Sequence, residues 1–256
     1  MRGVKILEIS FLTRLVLPLL LLWSTGIVAQ NIKRINLLEF KYGFHVPSAD
    51  LGERFGTSSD IGVSLQSVQA ESRLFFGIEG MYFFGNNVKE DVLAQLRAFD
   101  GTIIGINGSP GDVNLKERGF YLGFNAGKIF PTTSNKTKLT GIRAQVGGGL
   151  LQHKIRVQDN AETITALSEE YLPGYDRLTN GPALHLGLGY QYQSPTGNFH
   201  FHILGDLYGA QTISRRDFDY ASGKYLDTKR TDVFAGASIA YVVIISRVSK
   251  PDNIYY

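Results

Sequence analysis

The five histidines are the residues whose chemistry is easiest to name. His200 and His202 share one face of a predicted strand, two residues apart, a spacing that suits a metal pair. His153 and His185 fall near the same end of two neighbouring predicted strands, where a histidine with a serine or an acid could form a catalytic site. The sequence has no Gly-x-Ser-x-Gly motif and fixes no acidic partner. We therefore predict no catalytic residue, no metal site and no cofactor. The alternative is a rim site, formed by His153 and His185 at the outer ends of their strands.

Composition limits the class of protein further. The 256-residue chain is 43% hydrophobic and 19% charged, with a formal net charge of +3. Such a weak charge gives no basic field for nucleic acid, so we predict no nucleic-acid partner. The absence of cysteine excludes a disulfide scaffold and thiolate chemistry. The 16 phenylalanines and 13 tyrosines favour strands.

The first thirty residues have the order of a secretory signal. Basic residues come first, an apolar run follows from Leu15 to Trp23, and small residues follow up to Ala29. The apolar run is shorter than the roughly 20 residues that a spanning helix needs. We predict a cleaved signal peptide over 1–29 and a single domain over 30–256.

The rest of the chain alternates between apolar and polar residues with the period of a β-strand. One face is dense in Phe, Leu and Tyr, and the other carries glycines and isolated charges. Each segment is close to the ~9–11 residues that a tilted strand needs to cross a bilayer. The parity of the last segment is unclear because both its faces are apolar. The eight predicted strands are 36–46, 59–66, 72–84, 119–129, 142–151, 184–193, 199–208 and 232–247.

The connections between these segments alternate in length. Short polar turns follow strands two, four and six, at 67–71, 131–138 and 194–198. The other connections are 47–55, 85–118, about 154–180 and 214–231, and three of these four are long. Short turns at one end and long loops at the other are typical of outer-membrane barrels. We predict an all-β fold, an eight-stranded antiparallel transmembrane β-barrel with short periplasmic turns and long extracellular loops that carry short helices.

Over roughly residues 36–248, this pattern resembles the small eight-stranded bacterial outer-membrane barrels of the OmpA and OmpX kind, and the short barrel-domain proteins of Bacteroidetes-type bacteria. The resemblance rests on the alternation and the loop asymmetry, without a motif specific to one member. It implies a bacterial outer-membrane location, with both chain ends in the periplasm. It also implies a surrounding of outer-membrane lipid and lipopolysaccharide, and a monomeric barrel.

The polar faces of the odd-numbered strands carry a balanced set of charges. An unpaired charge in a narrow lumen is costly, so we predict that these side chains form a paired network, with Arg143 as the partner of Glu79. The predicted lumen network comprises Glu39, Lys41, Arg73, Glu79, Arg143 and Asp206.

Each of the two longest loops carries an apolar stripe behind a capping residue. Asn87 would begin a helix over 88–99, and Asp159 would begin a second one that ends at Pro173. We predict a non-enzymatic outer-membrane barrel with a structural or interaction role, in which loops 85–118 and 154–180 meet an envelope protein partner. The alternatives are a lipid-modifying enzyme, a narrow channel, and a binder of small hydrophobic ligands.

Overall fold

The chain forms a ring of eight strands. The structure, a computed structural model, describes residues 34–132, 139–194, 199–226 and 229–248, so the predicted signal peptide lies outside the described residues. The strands are β1 (Arg34–Ser48), β2 (Ser58–Gln69), β3 (Leu74–Gly85), β4 (Val113–Pro131), β5 (Gly141–Asp159), β6 (Thr179–Gln193), β7 (His200–Ser214) and β8 (Lys229–Val248).

Every strand pairs antiparallel with its neighbours in sequence, and β1 pairs antiparallel with β8 to close the barrel. Closure leaves no free sheet edge in the part of the barrel where all eight strands pair, so the backbone groups there have partners within the ring. The predicted all-β, eight-stranded antiparallel barrel is confirmed.

The inside and outside faces follow the predicted alternation. In β3 the buried side chains are Phe75, Glu79, Met81 and Phe83, and the residues between them face outward. The structure also settles β8, in which Asp232, Phe234 and Ser238 point inward. A register shift opposite Asn36 and Leu37 places one extra residue in β8 near its end, which explains why a simple period of two does not describe that segment.

β4 and β5 extend well beyond their predicted bounds. They remain paired from Gly119 opposite His153 up to Val113 opposite Asp159. This part, Val113–Arg118 with Lys154–Asp159, is called the ribbon below. β3 ends opposite Glu117, so the ribbon rises above its neighbour on that side. The extension was missed because its outward positions are charged, which ends the apolar alternation but not the pairing.

Four loops connect the strands at the ribbon end: loop 1 (49–57), loop 2 (86–112), loop 3 (160–178) and loop 4 (215–228). Loop 1 carries a short α-helix, α1 (Ala49–Arg54), which the sequence analysis did not predict. The two predicted amphipathic helices are wrong as α-helices. Loop 2 has only a 3-10 turn at Ala94–Leu96, and loop 3 has 3-10 turns at Thr165–Leu167 and Leu172–Gly174.

The stripe predicted for loop 2 does not form one face. Val92 is buried, whereas Phe99 is fully exposed. The predicted cap at Asp159 does accept hydrogen bonds, from the backbone N–H of Ala161 and of Ile164, but the chain then turns instead of continuing as a helix. Among the described residues, no helix is long and apolar enough to cross a membrane.

Candidate functional site: a filled lumen and a closed mouth

The centre of the lumen holds one histidine between two acids. His185 Nδ1 lies 2.7 Å from Glu79 Oε1, and His185 Nε2 lies 2.7 Å from Asp206 Oδ1. Asn125 donates a further hydrogen bond to Glu79, and Ser238 donates one to Asp206. All five side chains are buried. They come from five different strands, so the cluster ties opposite walls of the barrel together.

An aromatic layer covers this histidine. The ring of Tyr208 stacks on His185 with centroids 4.0 Å apart and planes 8° apart, and Phe234 stacks on the far side of Tyr208 at 4.6 Å. Lys41 Nζ donates to the Tyr208 hydroxyl at 3.0 Å, which places the charge of Lys41 inside the lumen. The lumen is therefore occupied by side chains at this level.

A second cluster surrounds Arg143. Its Nη1 lies 2.8 Å from Glu39 Oε1, and Ser64 donates to the other oxygen of Glu39 at 2.7 Å. His202 Nε2 lies 3.4 Å from Glu39. The guanidinium also lies over the ring of Phe75, 4.4 Å from its centroid. Its remaining donors reach the side-chain oxygens of Gln66, Gln145 and Gln191 at 2.7–3.0 Å. A buried guanidinium with this many acceptors is well satisfied.

All six predicted lumen charges except Lys41 are buried, and five of the six lie on strands of the barrel, but their pairing differs from the prediction. Arg143 binds Glu39, whereas Glu79 binds His185, so the predicted pairing of Glu79 with Arg143 is wrong. The sixth residue, Arg73, lies in the turn before β3 with a φ of 57°. Glu79 and Arg143 do not meet because neighbouring strands in a barrel are staggered, which separates residues that lie at similar positions in their own strands.

His153 and His185 do not form a common site. His153 Nε2 lies 2.8 Å from Asp232 Oδ2 and 3.1 Å from Thr179 Oγ1. His185 faces Gly147 across the β5–β6 pair, six residues from His153 along β5. At about 3.3 Å per residue, the backbone positions of the two histidines are about 20 Å apart along the strand. Each histidine therefore bridges strands in its own layer of the barrel.

Apolar side chains from the loops fill the mouth of the barrel. Leu51 and Phe55 from loop 1 and Leu93 from loop 2 are at most 2% exposed. They pack with inward-facing barrel residues such as Phe83 and Ile155 in one buried cluster. Complete burial of side chains of this size contributes about 1.5–3 kcal/mol each. This cluster, with Ile103, Ile164, Leu167 and Tyr175, is called the cap core below.

A chain of ion pairs connects all four loops above the cap core. Arg54 of loop 1 lies 2.9 Å from Glu90 of loop 2. Arg177 of loop 3 lies 3.2 Å from Glu90 and 3.1 Å from Asp219 of loop 4. Burial lowers the pKa of Arg54 to about 10. We call this set of four residues the latch. Sequence reasoning missed it because no spacing rule relates residues on four separate loops.

The outside of the barrel is apolar over a continuous band. In β4, the outward residues from Phe120 to Phe130 are apolar except Lys128 near the lower edge, and they span ten positions, which corresponds to a height of about 25 Å for a strand tilted about 40°. Aromatic side chains lie towards one edge of the band at Tyr42, Tyr82 and Phe84, and towards the other at Tyr190, Phe199, Phe201 and Tyr241. A closed ring with an apolar outside and a polar inside defines the fold as a transmembrane β-barrel.

Metal ligation finds no support in the part of the chain that the structure describes, where no group of three or more His, Cys, Asp or Glu side chains could hold a metal ion. His202 Nε2 lies 3.4 Å from Glu39, and both His200 and His202 are buried on the inner face of β7. Their predicted shared face is therefore a feature of the strand and not of a common ligand set.

No protein-family model matches the sequence, and a comparison with curated proteins finds no match. Among solved structures, Neisserial surface protein A is 11% identical with a TM-score of 0.43, and the match covers 82% of this chain and 97% of that one. Ail of Yersinia pestis is 8% identical with a TM-score of 0.39, over 83% and 99%. A major outer membrane protein from Thermus thermophilus is 10% identical with a TM-score of 0.42, over 81% and 99%. These similar structures are small outer-membrane barrels, the group that the sequence resembles.

Proposed function

We propose that the chain is a non-conducting bacterial outer-membrane barrel with a structural or interaction role, and that its four loops form one rigid external surface. The observation that carries this proposal is the double closure of the pore. The two buried clusters around His185 and Arg143 occupy the lumen, and the cap core covers the mouth. An eight-stranded barrel has an interior just wide enough for its own side chains to fill.

The latch supports an interaction role over a purely structural one. Loops that only connect strands have no need of buried ion pairs between them, and Arg54 is 3% exposed. Holding four loops in one arrangement reduces the ordering cost of binding, which favours recognition of a partner by a preformed surface. An envelope protein remains the partner that we propose for loops 2 and 3.

Planar-bilayer recording and cell fractionation test the proposal together. We expect the purified protein to insert without discrete conductance steps, and to fractionate with the outer membrane. The variant Arg143→Ala is the control for conductance through an opened lumen, since it removes the largest buried side chain. Conductance in the parent protein would favour the channel alternative. Recovery in a soluble fraction would contradict the membrane role.

A further inference from the structure

Four basic side chains face outward from the ribbon. Lys116 is directly opposite Arg156, and Arg118 is directly opposite Lys154. Like charges directly opposite each other destabilise a sheet pair. Since two successive rows both carry this cost, the ribbon would be more stable without these charges. An anion bound here would relieve this repulsion.

The protein itself neutralises this group only in part. Lys116 Nζ donates to Gln158 at 3.0 Å, and Arg118 Nη1 donates to the backbone oxygen of Glu117 at 2.5 Å. Among the described residues, no carboxylate lies within ion-pair distance of Lys116, Arg118 or Arg156. Lys154 lies 3.8 Å from Asp176, but two nitrogens of Arg216 already bind that carboxylate at 2.9 and 2.6 Å.

Three of these four basic side chains, Arg118, Lys154 and Arg156, line a groove on the outside of the barrel. The groove has a volume of about 610 Å³. Its lower part is lined by Tyr82 and Phe120, and its upper part by Arg118, Lys154 and Arg156. Leu172 and Pro173 of loop 3 form its far wall. Four bases against two acids line it in all, with Arg216, Glu169 and Asp176 completing the set.

The side chains along the groove change from apolar to basic in a fixed order. Leu122 lies opposite Leu150 in the apolar band, and Phe120 opposite Gln152 marks its edge. The two basic rows follow immediately. A soluble anion would need only the basic rows, whereas an amphiphile needs an apolar surface directly below them. The order of the rows therefore matches a lipid that carries phosphate groups at its head.

We propose that the ribbon and loop 3 form a binding site for one phosphorylated lipid, the lipid A part of lipopolysaccharide, with its phosphates on Arg118, Lys154 and Arg156 and its acyl chains against Phe120 and Leu122. This inference rests on the proposed outer-membrane location, and it names the lipid that the protein binds there. Lys116 adds a further positive charge at the top. Guanidinium and ammonium groups form strong charge-assisted hydrogen bonds with phosphate.

The test uses the whole mature protein in nanodiscs of phosphatidylcholine, with bis-phosphorylated lipid A, with dephosphorylated lipid A, or with neither. The variant replaces Lys116, Arg118, Lys154 and Arg156 with glutamine. The matched control replaces Arg34 and Lys128, two exposed basic residues near the opposite end of the barrel. The two readouts are the amount of lipid A retained after washing and the unfolding midpoint on a heat-modifiability gel.

We expect the parent and the control to retain phosphorylated lipid A about tenfold more strongly than the variant, since three interfacial ion pairs of modest strength and one further positive charge are lost. Without lipid A, the variant should unfold at the same temperature as the parent or higher, because repulsion across the ribbon is relieved. Lipid A should raise the midpoint of the parent and the control but not that of the variant.

Three results would overturn the site. Equal retention by parent and variant would remove its basis, and so would equal retention of dephosphorylated lipid A. Release of lipid A by inorganic pyrophosphate at equal phosphate concentration would indicate a site for soluble phosphate instead. A failure of the outer-membrane role would appear in fractionation or conductance, so the two proposals fail in different experiments.

Discussion

The guanidinium of Arg54 lies 2.9 Å from the carboxylate of Glu90, and this contact joins loop 1 to loop 2 above the barrel mouth. Arg54 also donates to the backbone oxygen of Arg177 and to Thr179, so it reaches loop 3 and the start of β6 as well. Phe55, the next residue, packs edge-on against His153 with centroids 5.7 Å apart. These two consecutive residues of loop 1 thereby connect the latch to the barrel wall.

Replacing Arg54 with glutamine tests the latch. We expect a loss of about 2 kcal/mol in the free energy of unfolding, since a largely buried charged donor loses its acceptors. Urea unfolding in detergent measures this loss. Arg97→Gln is the matched control, because Arg97 and its partner Asp91 are both at least one-third exposed. It should cost under about 0.5 kcal/mol. Equal losses in the two variants would show that the contact of Arg54 with Glu90 is an ordinary surface ion pair.

A double-mutant cycle tests the lumen pairing. Glu39→Gln alone should cost about 3–5 kcal/mol, because Arg143 is then left buried without its ionised partner. Combining Glu39→Gln with Arg143→Gln should cost clearly less than the sum of the single changes. Unfolding in lipid vesicles gives the free energies.

The control cycle for the lumen uses Glu79→Gln with Arg143→Gln. Glu79 binds His185 and Asn125, so this pair should be far closer to additive. Strong coupling in the control and additivity in the Glu39 cycle would restore the pairing that the sequence suggested and contradict the one described here.

Deleting residues 88–99 tests whether loop 2 is needed to fold the barrel or only to complete the cap core. We expect the barrel to refold, since the ladder of β3 and β4 does not include these residues. The deletion removes Glu90, Val92 and Leu93 from the latch and the cap core, so trypsin should then cleave at Arg54 and Arg177. A chain that cannot refold would show that the cap core is needed to form the barrel.

The titration of Asp91 tests the local structure of loop 2. Hydrogen bonds from Arg97 hold the pKa of Asp91 below its usual value of 3.8. The stabilisation from this pair is therefore present above that value and is lost as the pH falls through the lowered pKa. Carboxyl carbon NMR should give a midpoint below 3.8 in the parent and a value nearer 3.8 in Arg97→Gln. An unchanged midpoint would contradict the contact.

The sequence predicts the strands well because burial in a barrel imposes a period of two on side chains. Glu39 and Arg143 were placed on the inner face by parity alone, and both lie there. Parity gives the face of a residue but not its height, so it could not identify Arg143 as the partner of Glu39. The stagger between strands sets that height, and only the full register of the closed ring determines it.

The loops were less predictable because their conformation depends on tertiary contacts. Asn87 and Glu90 fit the rule for a helix start, yet Glu90 serves the latch instead. Val92 and Leu93 are adjacent in sequence and both buried, a pattern that suits an irregular turn packed on a core and not one helical face. The extension of β4 could have been found, since Leu115 and Glu117 alternate with Lys116 and Arg118.

The pairing of β1 with β8 makes a circular permutation of this chain feasible. Arg34 and Val248 are register partners, so the two ends of the described barrel lie side by side on neighbouring strands. Their Cα atoms are about 5 Å apart in such a pair. A short linker could therefore join them, and new ends could be opened in the turn between β2 and β3, at the end of the barrel away from the latch. Such a circular permutant would keep every loop contact while changing the order in which the strands are synthesised.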